Sequence, residues 1–237
     1  MIKAGIDRLN SQTEKEAVMK KTLIIGSILF TVIALVFSGP ALAQGTRTFE
    51  VTITNLTGGQ IFSPPIVLAH DNDFNLFTLG EPASEALTGI AEDGDTSGLV
   101  DMAENMPSIY GYAMADGPVL PGTSAVVEID THHTAKRLSV AGMLVTTNDA
   151  FFAVRGARTW GIFLEPLYAS AYDAGSEVNS ENCSDIPGPP CGNGGVRNTA
   201  DAEGYVHIHA GIHGTMDIST AEFDWNNPVA LIRIQRK

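Results

Sequence analysis

Three carboxylates in two segments have the residue types and spacing of a metal site. Asp149 follows a β-branched, apolar run, and Asp173 and Glu177 form an Asp-x-x-x-Glu pattern around Gly175. Loops at one end of a β-sandwich can converge, and carboxylate oxygens favour Ca²⁺ over softer metals. Acidic loop residues are also commonly just solvated. The spacing alone leaves a calcium site and a solvated surface both open.

A second acidic segment, residues 93–104, has the pattern of an EF-hand loop. Acidic or hydroxyl groups occupy its first, third, fifth and ninth positions, Gly98 the sixth and Glu104 the twelfth. Pro107 limits the exit helix, so the alternative is a turn in which Asp95 or Ser97 caps a short helix. The pattern leaves open whether this segment binds a second calcium ion.

Three histidines, His207, His209 and His213, follow the pattern His-x-His-x-x-x-His. On a strand, residues two apart face the same side, about 6.5 Å apart along the chain. Three imidazoles with an open coordination position are the ligands of many catalytic zinc sites. The alternative function is therefore a metal-dependent enzyme, a hydrolase or an oxygenase. Hydrogen bonding alone is the other interpretation of these residues.

Composition and motifs exclude several other functions. The chain contains no nucleophile elbow, P-loop, dinucleotide fingerprint or zinc cysteine pair. Its formal net charge is −13, which argues against nucleic acid and anionic membranes as partners. With the histidine site kept as the alternative, we expect a protein that is not an enzyme.

The N-terminal region has the organisation of an export signal. From Met19 the chain has a basic start, an apolar run over 23–37 and an Ala-x-Ala ending at Ala43. This pattern predicts a signal peptide cleaved after Ala43, with residues 1–18 as an upstream extension. The run is short for a membrane span of about 20 residues, so no stable span is expected after cleavage. Residues 44–237, with 9 basic and 24 acidic side chains (net −15), are predicted to be periplasmic or extracellular.

The two cysteines of the chain lie in the predicted exported part. Cys183 and Cys191 enclose a short run rich in proline and glycine. An oxidising compartment favours a disulfide between them, with two free thiols as the alternative. The disulfide would close part of one irregular surface loop, 180–204.

The elements that would position these side chains are mostly short strands. Alternating or β-branched runs punctuated by Gly and Pro predict an antiparallel β-sandwich. The predicted strands are 48–54, 124–129, 138–147, 205–209 and 229–234. Pro82 can begin a helix over 83–90, and residues 99–104 can form a second short helix.

Taken in order along the chain, several segments resemble the spondin amino-terminal domain, the F-spondin-type module that also occurs as a stand-alone bacterial secreted protein. The matching segments are 51–60, His70, 91–95, 139–151, 172–177, 209–214 and 224–230. They occur in order from residue 51 to residue 230, and so extend across nearly the whole of residues 44–237.

The resemblance implies a C2-like β-sandwich with one or two short helices and one bound calcium ion. Its calcium ligands would align with Asp149, Asp173 and Glu177, with Glu177 standing where the family has Asp. Glu can still bind calcium, although its extra methylene changes the geometry. The resemblance further implies a structural role for calcium in a binding or adhesion module, whose partner would be an extracellular or envelope protein or a glycan.

Overall fold

The alternating segment near residue 50 forms the first strand of the fold. The computed structural model describes residues 45–160 and 165–237, and strand β1 spans Thr46–Asn55. Its apolar side chains Phe49, Val51 and Ile53 are fully buried, because successive residues of a strand face opposite sides of the sheet. β1 pairs in antiparallel register with β4 and β9.

The described residues form nine strands. After β1 they are β2 (Ile66–His70), β3 (Ile109–Met114), β4 (Ser124–His132), β5 (Arg137–Met143), β6 (Ala150–Arg158), β7 (Leu167–Asp173), β8 (His207–Ile208) and β9 (Ala230–Arg236). All of their pairings are antiparallel.

The strands follow the order β3-β2-β5-β6-β7-β9-β1-β4, with β8 paired to β7. The start of β7 pairs with β9 and its end pairs with β6, so this strand joins the two halves of the fold. The end strands β3 and β4 approach each other: a Cβ at Gly111 would lie 2.7 Å from the Asp130 carbonyl oxygen. The sheet is therefore nearly closed, which confirms the predicted all-β, antiparallel, sandwich-like fold. The finer C2-like topology stays a prediction.

Two apolar clusters share the central strands. One lies between the two halves of the sheet and includes Phe49, Phe62 and Phe152. The other lies between strands β2, β5 and β6 and the helices, and includes Leu87 and Phe151. Because both faces of these strands are covered, their sequences are nearly continuous apolar runs and do not alternate.

The described residues contain three short helices: α1 (Glu85–Asp93), α2 (Ser97–Asn105) and α3 (Thr220–Phe223). The Ser84 side chain accepts the backbone N–H of Leu87 at the start of α1, and Gly94 ends it in the left-handed conformation, with φ of 67°. The two predicted helices are confirmed within a few residues. Helix α3 was not predicted, because four residues are too few for a periodic signal.

The loop between β7 and β8 has the predicted irregular character, and Cys183 and Cys191 form the predicted disulfide within it. One unit spans Thr46–Lys237. Across the described ranges, no helix has both the length and the apolar character needed to cross a bilayer. The predicted leader, residues 1–43, lies outside the described residues.

Candidate metal centre

The three predicted carboxylates lie at one end of the sheet, but their ligand atoms are not all within 4.8 Å of one another. Asp149 immediately precedes β6, and Asp173 is the last residue of β7. In the antiparallel pairing of β6 and β7, Asp173 lies opposite Ala150, which follows Asp149 in the chain. Glu177 follows in the turn after β7. All three carboxylates are buried, each at most 1 % exposed, which excludes the alternative of a solvated acidic surface.

Asp149 is held by the turn that carries Glu177. Its Oδ2 accepts the backbone N–H groups of Ser176 (2.8 Å) and Glu177 (3.0 Å), and also the Ser176 hydroxyl. Its backbone carbonyl accepts the N–H of Ala174 over 3.2 Å. Its Oδ1 is buried and has no hydrogen-bond partner among residues 45–160 and 165–237.

Only one of the two carboxylate oxygens of Glu177 has a hydrogen-bond partner. Its Oε1 accepts the backbone N–H of Asn198 over 2.7 Å, whereas its Oε2 is buried without a partner within the described part of the chain. We call Asp149 Oδ1 and Glu177 Oε2 the two open oxygens. A buried carboxylate oxygen left without a donor is costly, so such atoms indicate a proton or a cation as the missing partner.

Burial and mutual repulsion dominate the electrostatics of these carboxyls. Burial, and then the negative charge of Asp173, raise the pKa of Asp149 to about 7. Burial raises the pKa of Glu177 to about 7, and nearby Glu92, Asp149 and Asp185 add to the effect. Without a cation, these groups therefore hold protons near neutral pH.

The turn between the ligand positions depends on glycine. Gly175 has φ of 66°, and a Cβ there would lie 2.3 Å from the Tyr205 carbonyl oxygen. Its backbone N–H donates to Asp173 Oδ1 over 2.7 Å. Gly175 thus allows the loop to pass close to the chain before β8 and to fix the Asp173 carboxylate.

Two of the predicted histidines, His207 and His209, lie close to Asp173. His207 pairs with Asp173 in the β7–β8 register, and its Nε2 lies 3.6 Å from Asp173 Oδ1. His209 Nε2 lies 3.9 Å from Asp173 Oδ2. As predicted, His207 and His209 face the same side, and both line a cavity of about 220 Å³ together with His213.

Hydrogen bonds assign His209 a structural role. Its Nδ1 accepts the backbone N–H of Gly211 over 3.0 Å, so in the neutral ring Nε2 carries the proton and donates to Asn179 Oδ1 at 3.0 Å. Burial, and then the neighbouring His207 and His213, lower the pKa of His209 to about 4. The lone pair of Nδ1, which a metal would need, therefore already accepts a hydrogen bond. This argues against His209 as a ligand in the three-histidine set.

A different group has metal-binding spacing. One ligand atom from each of Asp173, Glu203 and His207 lies within 4.8 Å of the others. Sequence reasoning missed Glu203, which lies in the irregular loop where no periodicity places it. It also missed Asn179, whose Nδ2 donates to Asp173 Oδ2 over 2.6 Å.

The EF-hand-like segment does not form an ion-binding loop. Its second half is helix α2, Asp93 pairs with Arg197, and Glu104 accepts the Tyr112 hydroxyl. Asp95 instead accepts the backbone N–H and the hydroxyl of Ser97. The alternative of a turn before a short helix is confirmed, but the predicted cap is wrong, because Thr96 is the N-cap residue of α2 and makes no side-chain cap hydrogen bond.

The chain matches no protein-family model, and no curated protein is significantly similar to it. The resemblance to the spondin amino-terminal domain stays a prediction.

Proposed function

We propose that this chain is an exported, calcium-stabilised β-sandwich module for binding or adhesion, in which calcium acts structurally. The observation that carries the calcium part is the pair of open oxygens, Asp149 Oδ1 and Glu177 Oε2, in a buried group of three carboxylates. A buried carboxylate oxygen without a donor needs a proton or a cation as its partner, and calcium is the cation we propose.

In ligand type, the donor set fits calcium. Asp149, Asp173 and Glu177 would hold the ion through carboxylate oxygens, the hard ligands that Ca²⁺ prefers. The bound ion supplies positive charge at the junction of β6, β7 and the following turn. It would stabilise the folded state by its binding free energy and needs no catalytic step.

Other features support export and an external partner. The Cys183–Cys191 disulfide is of a kind that persists in oxidising compartments. The resemblance to the spondin domain is the only support for an adhesive role, with an extracellular or envelope protein or a glycan as partner. Fold by itself does not imply function.

The competing function is a metal-dependent enzyme that uses His207, His209 and His213. It has less support, because both ring nitrogens of His209 already take part in hydrogen bonds.

The test is calcium content and thermal unfolding of residues 44–237, with and without Ca²⁺. Asp149→Asn and Glu177→Gln remove one charge each at the open oxygens, and exposed Asp116→Asn is the charge-matched control. Calcium at 100 times its Kd should raise the Tm of the wild type and the control by about 5 to 10 °C. The two site variants should lose this shift. A wild-type Tm that changes neither when chelator nor when calcium is added would overturn the proposal.

A further inference from the structure

We propose that His207, Asp173 and Glu203 form a second metal site, which binds a transition-metal ion of the zinc class. This inference goes beyond the proposed calcium function, and the two sites have Asp173 in common. One ligand atom of each residue lies within 4.8 Å of the other two. Two ligands of one zinc ion lie at most about 4.4 Å apart, because Zn–N and Zn–O bonds are about 2.0 to 2.2 Å long, so small side-chain rotations would bring these three atoms around one ion.

The hydrogen bonds of His207 give the tautomer that binds metal. Its Nδ1 lies 3.0 Å from the Ile208 carbonyl oxygen, which can only accept, so Nδ1 carries the proton. Nε2 then has a free lone pair. In the described part of the protein, this buried Nε2 has no hydrogen-bond partner. A backbone carbonyl that orients one ring nitrogen while the other faces the ion is the usual arrangement of metal-binding histidines.

The atom that faces this lone pair is also an acceptor. His207 Nε2 and Asp173 Oδ1 are 3.6 Å apart, too far for a hydrogen bond. Strand pairing sets them opposite each other, because Asp173 and His207 are direct partners in the β7–β8 register. Neither atom donates to the other, and a proton on His207 or a metal ion between them would give His207 Nε2 a partner.

Asn179 organises the carboxylate side of the group. Its Nδ2 donates to Asp173 Oδ2 at 2.6 Å and approaches Glu203 Oε1 at 3.5 Å, while its Oδ1 accepts from His209. His209 is fixed in turn by the N–H of Gly211. Such outer hydrogen bonds hold ligating carboxylates in position and contribute to metal affinity.

The donors favour zinc over calcium at this second site. One neutral imidazole with two carboxylates suits borderline transition ions, whereas Ca²⁺ takes oxygen ligands alone. His207 and Glu203 both line the cavity of about 220 Å³. An ion held by three protein ligands at this edge would keep a coordination position for water or a small anionic ligand.

The test is binding of Zn²⁺ alone to residues 44–237 by titration calorimetry, with Co²⁺ absorption as a spectroscopic readout of the imidazole ligand. Calcium is kept saturating throughout. His207→Ala and Glu203→Gln should each weaken zinc binding by more than about 100-fold, since loss of an outer partner alone costs about 10- to 100-fold. His213→Ala, which alters a residue of the same cavity, is the matched control and should keep wild-type affinity.

Three results would overturn the assignment. Wild-type protein that binds no zinc would show that His207, Asp173 and Glu203 do not form a metal site. Unchanged zinc affinity in His207→Ala would exclude the ligand set. A loss of binding in His213→Ala would favour the three-histidine site instead.

Asp149→Asn separates this site from the calcium site. It should abolish the calcium-dependent rise in Tm and leave zinc binding intact, whereas Glu203→Gln should do the reverse. Failure of one proposal is therefore visible independently of the other.

Discussion

The backbone N–H of Glu177 donates to Oδ2 of Asp149 over 3.0 Å, while the other carboxylate oxygen of Asp149 is one of the two open oxygens. The same turn thus fixes Asp149 through its peptide groups and brings the carboxyl of Glu177 close to it. Backbone N–H groups thus serve as donors to one oxygen of Asp149 and one of Glu177, whereas the two open oxygens need a proton or a metal ion.

The first prediction concerns the pH dependence of the calcium-free protein. Burial raises the pKa of Asp149 from 3.8 and of Glu177 from 4.5, in each case to about 7. The folded state therefore retains protons that the unfolded state has lost. Each carboxyl should lower the free energy of unfolding by up to about 1.4 kcal/mol per pH unit as pH rises through this window.

Urea unfolding from pH 4.5 to 8 measures this slope. The double variant Asp149→Asn/Glu177→Gln should lack it, so the difference between wild type and variant isolates the two carboxyls. Added calcium should stabilise the wild type more at pH 8 than at pH 5, because it replaces the lost protons. A parallel pH dependence in both proteins would contradict the assignment.

A second prediction is that Gly175→Ala disrupts the ligand turn. The residue has a positive φ, and the new Cβ would clash with the Tyr205 carbonyl oxygen at 2.3 Å. We expect a loss of more than about 1 kcal/mol in unfolding free energy and weaker calcium stabilisation. Gly117→Ala is the control, since no heavy atom of the described residues outside its chain neighbours lies within 4 Å of its added Cβ. Equal effects in both variants would count against this role of Gly175.

The third prediction concerns the disulfide. Reduction of Cys183–Cys191, or the double variant Cys183→Ser/Cys191→Ser, should lower the free energy of unfolding by about 2 to 4 kcal/mol, because the unfolded chain regains loop freedom. Denaturant titration with and without dithiothreitol measures this. The double variant is its own control, since reductant should leave it unchanged. Wild-type stability that is insensitive to reductant would contradict the prediction.

The fourth prediction is that His209 stays neutral well below the usual range of histidine. Burial lowers its pKa from 6.5 to about 4, so its contribution to stability is present above pH 6.5 and is lost as pH falls towards 4. Long-range ¹H–¹⁵N NMR spectra should show a protonated Nε2 and an unprotonated Nδ1 near pH 6. Titration near 6.5, or the opposite tautomer, would contradict the hydrogen-bond assignment.

Some elements were predictable because their burial is one-sided. In β1, Phe49, Val51 and Ile53 face the core and the intervening residues do not, which produces the period-two pattern. β4 and β9 were found for the same reason. Strands β2, β3, β6 and β7 were missed: β2 is buried on both faces, and β7 contains mainly small or aromatic residues without clean alternation. In β2, burial on both faces removes the period-two signal.

The sequence by itself determined the all-β character, the disulfide loop and the identity of the three carboxylates as a candidate oxygen-ligand set. These depend on local spacing and residue chemistry. Only the tertiary structure decided that Asp149 and Glu177 each keep a buried open oxygen, that His209 is occupied by hydrogen bonds, and that Glu203 lies beside Asp173 and His207. These facts depend on the register of β7 with β8 and on the path of a long loop. Contacts between residues distant along the chain fix both, and no local pattern encodes them.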